Sequence, residues 1–178
     1  MPMTTRKIAL VTGATRGIGK GIAIALAQSG ITVYITGRSS TADNTTDPIS
    51  GNLATTQADI EKAGGNCIPC QVDHSNDTQV QQLFDRIKAE QNGQLDILVN
   101  NVYGGVRALR TNQGKPFWEA DPSLWDACNN VGLRSHYIAS RLAAQLMVPR
   151  QQGLIITHAE KVNYQFPILR RDCSTANA

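Results

Sequence analysis

Short apolar runs alternate along this chain with longer amphipathic stretches. "KIALVT" (Lys7 to Thr12) is a continuous apolar run that ends at a glycine, the pattern of a parallel strand buried on both faces. Ile18 to Gly30 then carries a helical period, with Ile18, Ile22, Ala25 and Leu26 on one face and Gly30 past the end. "TVYIT" (Thr32 to Thr36) is rich in β-branched and aromatic residues and predicts a second strand. Strand, glycine turn, helix and strand in about 30 residues make a βαβ unit with a right-handed crossover.

The same alternation continues. Ser39 to Asn52 is polar and rich in turn residues, which predicts a long surface loop. A helix from Leu53 to Ala63 is stopped by Gly64 and Gly65, and Cys67 to Val72 reads as a third strand. Asn76 or Asp77 caps a helix whose Val80, Leu83, Phe84 and Ile87 share a face. Leu95 to Asn100 is a fourth strand. Pro122 to Met147 reads as one long helix carrying Trp125, Val131, Tyr137 and Met147, and Gly153 to Thr157 as a fifth strand. The whole predicts an α/β protein: a Rossmann-type doubly wound parallel sheet of about five strands, helices on both faces, incomplete at its C-terminal side.

The pattern stops after Thr157. His158 to Ala178 has no periodicity, contains Pro167 and "LRRD", and ends in "CSTANA". The expected organisation is therefore a nucleotide-binding domain over residues 1–157 and an irregular tail over 158–178. A sheet that ends on strand five exposes an apolar edge open to pairing.

Composition narrows the functional classes. A net charge of +3 with scattered basic residues argues against nucleic acid as a partner. No apolar stretch approaches the ~20 residues of a membrane span, and "MPMTTRK" lacks the apolar core of a signal peptide. Four cysteines without that signal predict free thiols in a reducing, cytoplasmic compartment. Cys67 and Cys70 have CxxC spacing but stand on a predicted strand, where their side chains point to opposite faces, so no metal site is expected. Trp118 and Trp125 read as packing residues, with a substrate box as the alternative.

The candidate chemistry begins at "TGATRGIG". Gly13, Gly17 and Gly19 follow a strand and open a helix, so their backbone can approach a pyrophosphate held at the helix N-terminus. Strand two ends at Thr36-Gly37-Arg38. A carboxylate there would bind the ribose hydroxyls of NAD, whereas Arg38, with Arg16 in the turn, matches the 2′-phosphate of NADP. NADP(H) is the expected cofactor, NAD the alternative.

"TGATRGIG", "NNVYGG" after strand four and "NNVG" in the long helix together resemble the short-chain dehydrogenase/reductase family over about Lys7 to Ile156. "VYITGR", "FWE" and "NNVGLR" look closest to its dehydrogenase/reductase member 1-like subgroup. The resemblance implies hydride transfer at a nicotinamide, reducing a small-molecule carbonyl or oxidising an alcohol, usually in a homo-oligomer. It marks cofactor contacts at Gly13, Thr15, Arg16, Gly17, Ile18, Gly19, Arg38, Asp73, His74, Asn100 and Val102, with Asn101 in the same asparagine motif. It marks Asn130 as part of the catalytic proton relay.

The family's remaining catalytic groups are not matched. The serines expected after strand five fall at Ala159 and Glu160, and no tyrosine has a lysine four residues on; Tyr164 is followed by Ile168. Such a dyad matters because a phenol with a pKa near 10 needs a neighbouring cation to work near neutrality. Leu169-Arg170-Arg171 stands near where the subgroup would read Tyr-Gly-Val, and a codon series xTA-CGx-CGx read one base later starts with a tyrosine codon. The tail is therefore expected to be a truncated or frameshifted continuation. Two readings stand: an NADP(H)-dependent oxidoreductase inactive in this form, or a non-catalytic nucleotide-binding remnant.

Overall fold

The computed structural model describes residues 6–41 and 51–158. The strands are β1 (Ile8–Val11), β2 (Thr32–Gly37), β3 (Asn66–Gln71), β4 (Ile97–Asn100) and β5 (Leu154–Thr157). All pair in parallel, in the order β3-β2-β1-β4-β5. Each connection crosses over through helix: α1 (Gly17–Gln28), α2 (Leu53–Lys62), α3 (Asp77–Glu90), and then α4 (Val106–Thr111), α5 (Ser123–Asn129) and α6 (Ser135–Met147). Residues 42–50 of the predicted loop and 159–178 of the predicted tail lie outside the described residues.

Alternation along the strands divides the core in two. Leu10, Tyr34 and Leu98 point toward α3 and α6, meeting Leu83, Phe84, Ile87 and Leu142. Their neighbours Val11, Ile35 and Val99 point the other way, onto Ala23 and Ala27 of α1 and Ile60 of α2. Each large aliphatic side chain so buried contributes about 1.5–3 kcal/mol. Cys67 joins one cluster and Cys70 the other, as the strand reading requires. Cys67, Cys70 and Cys128 are all free thiols. The caps also follow local chemistry: Asn76 accepts from the Gln79 N–H at 3.2 Å, and Asn52 forms a capping box with Thr55.

Four expectations need correction. Helix α1 buries Gly19, Ala23 and Ala27, while Ile18 is 48% exposed and Ala25 is exposed. Small residues let the helix axis come close to the sheet, so the largest side chains sit at its flanks. The single helix over Pro122–Met147 is two helices. Val131 (φ −104°, ψ 90°) and Gly132 (φ 157°, ψ −73°) leave the helical region between α5 and α6, and the Ser135 hydroxyl accepts from the Gly132 N–H at 3.1 Å. Trp118 and Trp125 do not pack in a core: they are 59% and 70% exposed. The Trp118 ring meets Phe117 edge-on, 5.4 Å between centroids, at the surface. Finally, α4 and a 3₁₀ turn at Phe117–Glu119 occupy a stretch with no predicted element, and neither buries a residue.

Leu154, Ile155 and Ile156 of β5 are 52%, 38% and 44% exposed, so the apolar edge expected of the fifth strand is present among the described residues.

Candidate functional site

In a sheet ordered 3-2-1-4-5, the crossovers leave β1 in opposite directions, and a crevice opens beyond the carboxyl ends of β1 and β4. A cleft of about 670 Å³ occupies that place. The β1–α1 turn forms its floor. Gly13 has φ +69°, and a Cβ there would come within 2.7 Å of the Val102 Cα. A Cβ on Gly19 would come within 2.6 Å of the Gly13 carbonyl and overlap the Asn101 amide. Gly17 also has φ +57°, at the first residue of α1. The N-cap residue Arg16 makes no side-chain cap hydrogen bond and the first turn of α1 holds no acidic residue, so the positive dipole end of α1, with Gly17, Ile18 and Gly19, faces the cleft.

Three polar side chains hold this turn in place. Asn101 Nδ2 donates to the carbonyls of Thr12 and Gly13 at 3.0 and 3.1 Å. The Thr12 hydroxyl accepts from the backbone N–H groups of Asn101 and Val102 at 2.9 and 3.1 Å and donates to the Val99 carbonyl at 3.2 Å. Thr36 Oγ1 accepts from the Gly13 N–H at 3.4 Å, and Ala14 N–H donates to the Thr36 carbonyl at 2.9 Å. Sequence reasoning passed over Thr12 and Thr36 because each reads as an ordinary strand end. The signal available was a threonine ending two strands beside the same turn.

One end of the cleft lies over β2 and β3. Arg38, Asp73 and His74 line it. Arg38 is exposed, and its carbonyl accepts from Gln71 Nε2 at 2.9 Å. Burial pushes the Asp73 carboxyl up, but the Ser75 N–H and hydroxyl, 2.9 and 2.7 Å from Oδ1, and the nearby Arg38 charge outweigh it and hold Asp73 below its usual value. His74 is 3% exposed. Burial, helped by the charge of His136 and opposed by Asp73, pushes its pKa down to about 4, so the ring is neutral at pH 7. Its Nε2 lies 2.8 Å from Thr36 Oγ1.

The other end lies over β4 and β5 and is lined by Tyr103, Gly104, Val131, Gly132, His136 and Thr157, among others. His136 Nε2 donates to the Val102 carbonyl at 2.9 Å. Burial lowers the His136 pKa, with the Val102 carbonyl acting against it.

The fold thus brings Gly13, Thr15, Arg16, Gly17, Ile18, Gly19, Arg38, Asp73, His74 and Val102 together around one cleft. Asn100 and Asn130 are placed elsewhere. Asn100 is fully buried beneath the cleft, where Nδ2 donates to Ser140 Oγ at 2.9 Å and Thr157 Oγ1 at 3.4 Å. Asn130 is exposed, and its neighbours Val131, Gly132 and Leu133 reach the cleft instead, because the backbone turns at the α5–α6 junction. Among the described residues, no group of three or more His, Cys, Asp or Glu is arranged to hold a metal ion.

A parallel sheet in this order, a glycine turn entering an open helix N-terminus, and a cleft at the switch point define a dinucleotide-binding α/β protein. Within that class the chain belongs to the short-chain dehydrogenase family, whose model matches residues 7–162. It is 45% identical over 150 residues to mouse (Mus musculus) dehydrogenase/reductase SDR family member 1, and 42% identical over 160 residues to the Homo sapiens protein of that name. Those matches cover 84% and 90% of this chain but 45% and 48% of the relatives, so the chain spans about half their length. A metagenomic short-chain oxidoreductase solved in complex with NADP superposes with TM-score 0.68 at 29% identity, covering 85% of this chain and 61% of that one. A 7α-hydroxysteroid dehydrogenase complexed with NADH and 7-oxo glycochenodeoxycholic acid gives 0.70 at 28%, covering 86% and 53%. Among the described residues no helix is long and apolar enough to cross a membrane.

Proposed function

We propose that this chain is the nucleotide-binding part of an NADP(H)-dependent oxidoreductase that reduces a small-molecule carbonyl or oxidises the matching alcohol. The observation that carries the reading is the glycine cradle. Gly13 and Gly19 let the turn pack directly on Val102 and Asn101, where a side chain would clash, and the N-cap residue Arg16 makes no side-chain cap at the start of α1. When bound, the nicotinamide supplies or accepts the hydride; a proton must reach or leave the substrate oxygen separately. The residues of this chain bind and orient. Gly13 to Gly19 hold the pyrophosphate at the dipole end of α1, Asp73 and His74 flank the adenosine, and Arg38 with Arg16 sets preference for the 2′-phosphate.

In this reading residues 1–157 form the nucleotide-binding domain and 158–178 its tail. The free thiols of Cys67, Cys70 and Cys128 among the described residues support a cytoplasmic, reducing setting. A homo-oligomer with no nucleic-acid or membrane partner completes the reading. A second reading, a binding module without turnover, is favoured by one observation: no tyrosine in the 178 residues has a lysine four residues on.

Fluorescence titration tests both. The chain is expected to bind NADPH more tightly than NADH, and Arg38→Asp to reverse the order. An unchanged NADPH preference in that variant refutes the assignment of the phosphate clamp. Mixing the chain with NADPH and a panel of carbonyl compounds separates the readings: turnover supports an active enzyme, and binding without oxidation of NADPH supports the module.

A further inference from the structure

The β4–α4 loop is built around one aromatic ring. Tyr103 lines the cleft and is 44% exposed, yet two glycines, Gly105 and Gly132, crowd it. A Cβ on Gly132 would stand 3.0 Å from Tyr103 Cδ2, and one on Gly105 would stand 2.7 Å from Cζ. A Cβ on the intervening Gly104 would meet not the ring but the Val131 side chain, at 2.9 Å. The Gly104 N–H donates to the Val131 carbonyl at 2.8 Å, which fastens the loop to the non-helical junction between α5 and α6. Gly132 holds φ +157° there, a conformation that favours glycine. Just before the ring, His136 of α6 binds the Val102 carbonyl. The ring is therefore held from the loop side and from the helix side, with one part left facing the cleft.

Its position in the sheet order gives it a role. Arg38, Asp73 and His74 mark the β2–β3 end of the cleft, and the glycine turn marks the middle. Tyr103 stands on the far side, at the β4–β5 end. We propose that the Tyr103 ring is the specificity-determining wall of that end, against which the planar nicotinamide half of the cofactor is held. This rests on the cofactor reading above and divides its cleft in two: Tyr103 sets affinity for the nicotinamide half and is indifferent to the adenosine half. The contact is made by the ring face, because an offset aromatic contact needs area rather than a hydroxyl.

The test compares NADPH with adenosine 2′,5′-bisphosphate, which carries the adenosine and 2′-phosphate but no nicotinamide. Binding of both is measured by titration calorimetry on the full chain, with thermal unfolding as a check on folding. Tyr103→Ala is expected to weaken NADPH about tenfold and to leave the bisphosphate within about twofold, the size of one lost aromatic contact. Tyr103→Phe is expected to bind both as the parent does. Gly132→Ala, which crowds the ring from the helix side, is expected to weaken NADPH selectively while keeping bisphosphate affinity. Equal weakening of both ligands in Tyr103→Ala, or no weakening of either, overturns the proposal. Loss of NADPH affinity in Tyr103→Phe overturns the role given to the ring. If the parent chain binds neither ligand, the cofactor reading itself falls and takes this one with it.

Discussion

The Thr36 hydroxyl lies 2.8 Å from Nε2 of His74, and both side chains are buried at the end of β2, next to the glycine turn. Through Thr36, which also accepts the Gly13 N–H, a histidine after β3 supports a turn after β1. The arrangement keeps His74 neutral and gives it a pH signature. Burial lowers its pKa from 6.5 to about 4. Between those values the unfolded chain binds a proton that the folded chain refuses. Stability is therefore fully present above pH ~6.5 and falls as pH drops toward ~4, by on the order of 3 kcal/mol. His136, lowered by burial, adds a slope of the same sign. Urea unfolding from pH 7.5 to 4.5 is expected to show a shallower fall for His74→Gln than for the parent. Parallel curves would show that His74 does not carry the effect.

The glycines of the turn are not equivalent. Gly13→Ala and Gly19→Ala drive a methyl group into Val102 or into the Gly13 carbonyl and Asn101, so both are expected to weaken NADPH binding at least about tenfold. Gly17 has no heavy atom within 4 Å of an added Cβ, and its only strain is φ +57°. Gly17→Ala is expected to cost about 1–2 kcal/mol of stability. Urea midpoints and NADPH titrations on the three variants check the ranking. A Gly17→Ala loss of affinity as large as that of Gly19→Ala would contradict it.

Adjacent asparagines separate by role. Asn101 holds the carbonyls of the turn, whereas Asn100 holds Ser140 and Thr157 beneath the cleft. Asn101→Ala is expected to weaken NADPH about tenfold and to cost about 1–3 kcal/mol, the range for stranded buried polar groups. Asn100→Ala is expected to lose stability of similar size while keeping NADPH affinity within about twofold. Reversed effects on affinity would assign the cofactor contact to Asn100 instead.

The β5 edge predicts association. Leu154 and Ile156 lie two residues apart, on one face of the strand, and are 52% and 44% exposed. Ile156→Lys is expected to reduce concentration-dependent light scattering while changing unfolding stability by no more than about 0.5 kcal/mol. Scattering that does not change with this substitution would remove β5 as the sticky edge.

How much of this was legible in the chain itself follows from the range of each interaction. The strand runs, the capped helix at Asn76 and the glycine turn depend on residues a few positions apart, so periodicity and turn chemistry reveal them. The opposite placement of Cys67 and Cys70 follows from strand alternation alone. The helix break at Val131–Gly132 is different. Gly132 reads locally as a tolerated helical glycine; beside the nearby Ser135 hydroxyl, the break is held by the Gly104 hydrogen bond and the Tyr103 ring, both far away in sequence. The α1 face was misread for a similar reason: hydrophobicity ranks Ile18 above Gly19, but close approach to Asn101 needs the glycine.

Local patterning was therefore enough to indicate the doubly wound sheet and the glycine turn, and short motifs carried the resemblance to the family. Tertiary structure alone decided which asparagine holds the turn, that His74 is buried and neutral, and which ring faces the far end of the cleft. Those outcomes depend on groups brought together from β1, β2, β4 and α6, and burial and hydrogen-bond geometry between distant segments leave no trace in local residue order.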